Sequence, residues 1–266
     1  MKKDKRRSDK TESEPSRSEK SEKLQKVIAR AGVASRREAE RWIADGRLRI
    51  NGQKATIGDR VSDSDTIQLD GRKLRIQSAD TFTPRIIAYH KPEGEICSRK
   101  DPEGRRTVFS RLPKVDKGRW IAIGRLDYNT SGLLLFTNDG DVANKLMHPS
   151  SGIDREYMVR VMGRVDDAMI QRLKEGVLLE DGMARFTDIV EADKESESIN
   201  RWFYVCLMEG RNREVRRLWE SQDVTVNRLK RVRFGPIFIP AKLRQGQCQE
   251  LTEREIADLL DAADQG

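Results

Sequence analysis

A single carboxylate stands in a polar loop between two apolar segments. Residues 121–135 read IAIGRLDYNTSGLLL, which places Asp127 after the apolar stretch Ile121–Ile123 and before the apolar stretch 133–135. Loops supported by strands in this way commonly carry catalytic groups, and an ionised aspartate can act as a nucleophile. An aspartate in a loop also commonly forms a turn by bonding its own backbone. The residues alone leave both interpretations open.

The sequence around Asp127 resembles a known motif. Residues 124–135, GRLDYNTSGLLL, are similar to the signature of the pseudouridine synthase families that modify small-subunit or large-subunit ribosomal RNA, in which the aspartate of RLD is the nucleophile. Three more segments resemble motifs of these families in the same order: HKPEG at 90–94, REYMV at 155–159 and EGRNREVRR at 209–217. The resemblance implies an enzyme that isomerises a uridine in large-subunit ribosomal RNA, with Asp127 as its catalytic carboxylate.

The resemblance also implies roles for other side chains. Arg216 is expected to form an ion pair with Asp127 that keeps the carboxylate charged and oriented. Tyr157 is expected to stack on the flipped uracil and to take the proton from C5, and Arg125 is expected to fill the gap that the extruded nucleotide leaves. The residues alone leave open that Arg216 only binds phosphate and that Tyr157 is a core tyrosine. Two further cations in the motifs are expected to contact RNA: Lys91 and Arg211.

The implied reaction needs neither a cofactor nor a metal. Pseudouridine formation breaks the N1–C1′ bond, turns the uracil and joins C5 to C1′, so there is no net redox change and no group comes from another molecule. The uridine must leave its stack, which costs a few kcal/mol and is easiest in loops and distorted helices. Whether Asp127 adds to C1′ or to C6 stays open at this point.

The segment that precedes these motifs has the pattern of a small basic domain. Apolar residues spaced three and four apart predict a short helix that stops at Gly32, and residues 35–38, SRRE, have the form of a capping box that begins a second helix. Asn-Gly at 51–52 and Asp-Gly at 70–71 predict hairpin turns. The stretch 23–76 resembles the S4 RNA-binding domain over nearly all of that domain's length. Its cations expected to follow RNA phosphates are Arg30, Arg36, Arg37, Arg41 and Arg47.

The rest of the chain has short apolar runs with helical segments placed irregularly between them. Strands are predicted at 86–89, 121–123, 133–137, 157–161, 202–208 and 232–239. Helices are predicted at 141–147, 166–175, 213–221 and 253–261. Because no βαβ unit repeats, we expect an α+β fold around a mixed, mainly antiparallel sheet with flanking helices.

Composition changes divide the chain into four predicted parts. Residues 1–20 hold no large apolar side chain after Met1, which predicts a disordered basic tail. An S4 RNA-binding domain is predicted for 21–77, a linker for 78–84 and a pseudouridine synthase domain for 85–260.

The overall composition favours a polyanionic partner. The formal net charge is +8, and Lys and Arg gain affinity for nucleic acid by releasing counterions from phosphates. Three cysteines and two histidines support neither a disulfide framework nor a zinc site. No apolar run approaches the ~20 residues of a membrane-spanning helix, so we expect a cytoplasmic protein that binds no membrane. The resemblance implies ribosomal RNA as the partner, and we expect a monomer. The alternatives are a non-catalytic S4-type ribosome assembly factor and, less favoured by the motifs, a metal-dependent nuclease.

Overall fold

The computed structural model describes residues 21–76, 83–115, 118–193 and 198–266. The described residues form two compact units, an N-terminal one of residues 21–29 and 34–76 and a larger one of residues 30–33 and the described residues from 83 to 266. The tail predicted for 1–20 and most of the linker predicted for 78–84 lie outside the described residues. No helix in the described ranges is long and apolar enough to cross a membrane.

The N-terminal unit packs two helices against small sheets. Helix α1 is Leu24–Arg30 and α2 is Arg36–Ala44. The strands are β1 (Glu22–Lys23), β2 (Leu48–Ile50), β3 (Gln53–Lys54), β4 (Arg60–Val61), β5 (Ile67–Leu69) and β6 (Arg72–Lys73). Strand β1 pairs with β4, and the other four form a sheet in the order β3-β2-β5-β6. Buried apolar residues from both helices and from β2 and β5 form its core, including Leu24, Ile28, Ile43, Leu48 and Ile67.

The predicted turns of this unit are present, and its predicted capping box is half correct. Asn51 and Asp70 adopt positive φ at 50° and 49°, each followed by a glycine, which are the angles that tight hairpin turns require. The Ser35 hydroxyl accepts from the Glu38 backbone N–H at 3.1 Å and begins α2. The Glu38 carboxylate, however, pairs with Arg41 one turn along the helix.

The larger unit is built around one nine-stranded sheet. Its strands are β7 (Ile86–Lys91), β8 (Ile121–Ile123), β9 (Ser131–Thr137), β10 (Arg155–Met162), β13 (Asp188–Glu191), β14 (Asn200–Leu207), β15 (Thr225–Phe234), β16 (Ile237–Phe238) and β17 (Cys248–Glu250). A separate hairpin consists of β11 (Val177–Leu179) and β12 (Gly182–Ala184). The helices are α3 (Gly140–Met147), α4 (Asp167–Glu175), α5 (Glu214–Glu220) and α6 (Glu253–Asp264).

The strand order is β13-β14-β10-β15-β9-β7-β17, with β8 beside β9 and β16 beside β15. The pairing of β15 with β9 is parallel and the other pairings of this sheet are antiparallel. The predicted α+β fold with a mixed, mainly antiparallel sheet is therefore confirmed.

Helices cover both faces of the sheet centre. Successive residues of β7 enter two different cores because side chains alternate along a strand: Ile87 and Tyr89 pack in one, Ile86 and Ala88 in the other. Helices α4 and α5 contribute to the first core, and α3 and α6 to the second. Strands β7 and β9 are buried along their whole length, which makes them a rigid support for the loops at their ends.

Two features of β15 were not predicted. The strand begins at Thr225, whereas the sequence pattern placed a single strand at 232–239. Gly235, at a φ of 52°, turns the chain so that β16 folds back on β15. Gly132 allows β15 to approach β9 closely, because a Cβ at Gly132 would lie 2.1 Å from the backbone oxygen of Arg231.

Candidate active site

The loop between β8 and β9 opens onto a cavity of about 680 Å³. Such a volume is typical of pockets that hold small-molecule-sized groups. Arg125 and Asp127 reach its wall from the loop, Arg155 and Tyr157 from β10, and Arg231 from β15. Asp127 is half-buried. The sequence-predicted carboxylate, tyrosine and Arg125 therefore line one cavity.

Lys91 holds the Asp127 loop through its buried ammonium group. Its side chain is 0% exposed, and its ammonium donates to the backbone oxygens of Thr130 at 2.8 Å, Pro92 at 3.0 Å and Tyr128 at 3.5 Å. Burial lowers the pKa of this ammonium. The prediction that Lys91 contacts RNA is wrong, because a fully buried side chain at the end of β7 cannot reach a phosphate.

Arg216 holds the same loop from α5. The residue is 7% exposed, and its guanidinium donates to the backbone oxygen of Asn129 at 3.0 Å and to that of Val226 at 2.8 Å. The expected direct ion pair with Asp127 does not form: the two terminal nitrogens point to these backbone oxygens, and Nε is buried without a hydrogen-bond partner. Burial lowers the pKa of Arg216, and the nearby charge of Asp127 acts in the opposite direction. Arg216 thus acts on Asp127 through the loop backbone and through its charge.

Every backbone oxygen of the loop from 126 to 130 accepts a hydrogen bond. The oxygen of residue 126 accepts from Cys97 Sγ, and that of residue 127 accepts from the Thr130 N–H. The oxygen of residue 128 accepts from the Gly94 N–H and from Lys91. The oxygens of residues 129 and 130 accept from Arg216 and Lys91, respectively. A loop with its carbonyl groups satisfied in this way has little freedom to move. This network holds the Asp127 carboxylate in place at the cavity wall.

Replacing Lys91 with methionine should destabilise the protein although Lys91 lies away from RNA. Methionine fills similar space but leaves buried carbonyl oxygens without a donor, at roughly 1–3 kcal/mol each. We expect a loss of about 3 kcal/mol in the free energy of unfolding and a slower reaction, with RNA affinity unchanged. Denaturant unfolding and RNA binding measure the two effects, and Lys242→Met, at an exposed turn, is the matched control. Weakened RNA binding by a folded Lys91→Met protein would contradict this assignment.

Tyr157 combines the two roles that the sequence left open. The residue is 9% exposed and belongs to the core beneath the sheet, yet it also lines the cavity. The side chain is therefore rigid and still available to a ligand. Arg125 is exposed at the cavity mouth, where a nucleic acid can reach it.

Arg211 lines the cavity but its guanidinium is largely engaged by the protein. Nε pairs with Glu209 at 2.5 Å, and Nη2 donates to the backbone oxygen of Met183 at 2.8 Å. Its predicted contact with RNA would compete with these bonds. No group of three or more His, Cys, Asp or Glu side chains suited to a metal occurs in the described part of the chain.

The arginines of the predicted S4 domain that are expected to contact RNA differ in their surroundings. Arg36 and Arg37 are exposed at the start of α2, and Arg30 is half-buried. Arg41 pairs with Glu38, and Arg47 pairs with Asp70 at 2.5 Å, so both already have an anionic partner. Arg37 is therefore the most accessible test of the predicted RNA contact.

Comparison with known proteins identifies both units. Residues 85–221 match the sequence profile of the family described as RNA pseudouridylate synthase, and residues 22–67 match the S4 domain. The chain belongs to the RNA pseudouridylate synthase family. The resemblance stated from the motifs is thereby confirmed.

Close relatives within this pseudouridylate synthase family are curated bacterial proteins. "Ribosomal large subunit pseudouridine synthase B" of Pseudomonas aeruginosa is 57% identical over 239 residues, which is 90% of this chain and 61% of that protein. The protein of the same name from Vibrio cholerae is 56% identical over 237 residues, covering 89% of this chain and 73% of the relative. The chain thus spans less than two thirds of the Pseudomonas protein and about three quarters of the Vibrio protein.

A solved structure titled "Crystal structure of pseudouridylate synthase" shares the fold. It superposes with a TM-score of 0.62 at 24% identity, covering 89% of this chain and 99% of that one. At this level of identity the likeness concerns the fold alone.

Proposed function

We propose that this protein converts a uridine of 23S ribosomal RNA to pseudouridine, with Asp127 as the nucleophile. The observation that carries the proposal is the placement of Asp127 at the wall of a cavity that an aromatic ring also lines, in a loop whose backbone oxygens are all bonded. The names of the relatives support large-subunit ribosomal RNA as the substrate. The S4 domain supports RNA binding by the N-terminal unit.

The chemistry follows from the groups in the cavity. A uridine extruded from its stack enters the cavity, and the Asp127 carboxylate adds to C1′ of the ribose or to C6 of the base. The N1–C1′ bond breaks, the uracil turns and a C5–C1′ bond forms, and the bond to the Asp127 carboxylate breaks again so that the carboxylate is regenerated. The proton on C5 is then lost, with the Tyr157 oxygen or water as acceptor, and N1 of the uracil gains a proton. Atoms balance without a cofactor, and the absence of a required cofactor remains a prediction.

We assign different roles to the side chains that surround Asp127. Tyr157 offers a flat face on which the flipped base can stack. Arg125, at the exposed mouth, would occupy the gap in the RNA helix. Arg216 is a positioning residue, because it contacts the loop backbone and does not line the cavity.

Replacing Arg37 with alanine should weaken RNA binding for all sequences about equally. An exposed arginine that contacts a phosphate releases counterions on binding, so its loss should reduce the salt slope by about one. The measurement is RNA affinity over a series of salt concentrations. Arg254→Ala, at an exposed position of α6, is the control and should keep the full slope. An unchanged slope for Arg37→Ala would place this side chain outside the RNA interface.

The proposed activity is tested with the purified protein and 23S ribosomal RNA transcripts. Pseudouridine should form at a specific uridine, and it should still form in EDTA, since no step uses a metal. A folded protein that binds the RNA but forms no pseudouridine would contradict the proposal and favour a non-catalytic assembly factor. Activity that is lost in EDTA would contradict the metal-free mechanism.

A further inference from the structure

Arg231 is a buried cation in the wall of the cavity, and the proposed mechanism leaves it without a role. The side chain is 2% exposed and lines the same cavity as Asp127. Its Nε donates to the backbone oxygen of Leu133 at 2.7 Å. The Nη2 atom is buried and has no hydrogen-bond partner. Within the described ranges, no carboxylate forms an ion pair with this guanidinium.

A neighbouring arginine on the same strand shows the usual arrangement. Arg233 pairs with Asp154 at 2.7 Å and with Glu156 at 2.7 Å, so its partly buried charge is compensated twice. Arg231 has no such partner among the described residues, although burying an unpaired charge is costly. Lys91 and Arg216 also lack a carboxylate partner, but each donates to at least two backbone oxygens and neither lines the cavity. Arg231 does line the cavity and its Nη2 has no acceptor, which indicates that a ligand supplies one.

The position of Arg231 is tightly constrained. It lies opposite Gly132 in the parallel β9–β15 pair and opposite Tyr157 in the antiparallel β10–β15 pair. Side chains of directly opposite residues lie on the same face of a sheet, and both Arg231 and Tyr157 line the cavity. The Phe234 ring, whose centroid is 5.4 Å from the guanidinium carbon, also supports it.

Burial decides which part of the RNA could reach Arg231. A phosphate is bulky and hydrated and stays at the mouth of a cavity, where the exposed Arg125 is available. A flipped base is flat and can reach the inner wall beside Tyr157. The base also becomes electron-rich in the reaction. When the N1–C1′ bond breaks, its electron pair stays on N1 and spreads to O2 and O4, and addition to C6 likewise places charge on O4.

We propose that Arg231 donates from Nη2 to a carbonyl oxygen of the flipped uracil and stabilises the negative charge that this oxygen gains during the reaction. The inference rests on the proposed function. It makes Arg231 a catalytic residue that recognises the base, in addition to Asp127 and Tyr157. Fixed donors aimed at a developing negative oxygen commonly contribute a rate factor of about 10²–10³.

The test combines an atomic change in the RNA with a change in the protein. Single-turnover rates are measured on RNA that carries uridine, 2-thiouridine or 4-thiouridine at the target, because sulfur is a poorer hydrogen-bond acceptor than oxygen. One of the two thio substitutions should slow the unaltered protein by about 10-fold or more. Arg231→Gln should lower the rate on uridine by about 100-fold. The thio substitution that slows the unaltered protein should then slow Arg231→Gln little further, because both changes remove the same hydrogen bond.

Controls separate this result from a structural effect and from phosphate binding. Arg228→Gln, at an exposed residue three positions earlier on β15, should keep the full thio effect. RNA with an uncharged methylphosphonate next to the target tests whether Arg231 binds a phosphate instead. If the methylphosphonate slows the unaltered protein but not Arg231→Gln, the proposal is overturned. If Arg231→Gln does not fold, the same comparison of RNAs is made with Arg231→Lys.

The rates of the unaltered protein on the thio-substituted RNAs test the proposal even without a protein variant. If neither sulfur slows the reaction while uridine is converted normally, the Arg231 proposal is overturned and the proposed function stands. If uridine itself is not converted, the proposed function is overturned and the Arg231 proposal with it.

Discussion

Replacing Asp127 with asparagine is expected to reduce pseudouridine formation by at least about 10⁴-fold, comparable to the loss of a covalent nucleophile in a hydrolase. Asparagine has nearly the same shape, but its neutral amide cannot add to C1′ or C6. RNA affinity should stay close to that of the unaltered protein, because the proposed phosphate contacts lie elsewhere.

The assay follows the release of tritium from uridine labelled at C5, since C5 loses its hydrogen when it bonds to C1′. Asp258→Asn, at an exposed position on α6, is the matched control and should keep full activity. RNA binding is measured in parallel on both variants. An Asp127→Asn protein with normal activity would show that the site lies elsewhere.

Replacing Arg216 with methionine should affect both stability and rate. Two buried charge-assisted hydrogen bonds, to Asn129 and Val226, are lost, and each is worth roughly 1.5–3 kcal/mol. We expect a loss of about 3 kcal/mol in the free energy of unfolding. The rate should fall by about 100-fold, because a small displacement of a catalytic group has effects of that size.

The adjacent arginine provides the control for Arg216. Arg217 forms a two-point ion pair with Asp181, both bonds being 2.8 Å, on the surface. Arg217→Met should therefore lose less than about 1 kcal/mol of stability and keep its rate. Unfolding curves and single-turnover rates compare the two variants. Equal effects at the two positions would contradict the specific role of Arg216 in holding the Asp127 loop.

Much of the fold was predictable because its elements have clear local patterns. The strand at Ile121–Ile123 has the predicted bounds, and the bounds of helices α3 to α6 lie within three residues of the predicted ones. The first seven residues of β15 were missed because Asn227, Arg228 and Lys230 interrupt the apolar pattern. Its pairing with β10 and β9 makes it a strand, and that pairing depends on contacts distant in sequence.

The sequence indicated several residues that lie together at the cavity, and their catalytic roles stay predictions. The motif resemblance directed attention to Asp127 and Tyr157, and both line the cavity. Whether Lys91 points to solvent or into the protein depends on how β7 is covered, which no local pattern reveals. No local pattern distinguishes Arg231 either, because it stands in a strand among other basic residues. Only its burial and its unbonded Nη2 set it apart.

The most direct test of the central claim uses cells that lack this protein. Pseudouridines are mapped on their 23S ribosomal RNA after complementation with the unaltered protein or with Asp127→Asn, both produced at equal levels. We expect one pseudouridine to be missing without the protein, to return with the unaltered protein and to stay missing with the variant. A map that is the same in all these cells, or a site restored by Asp127→Asn, would contradict the account.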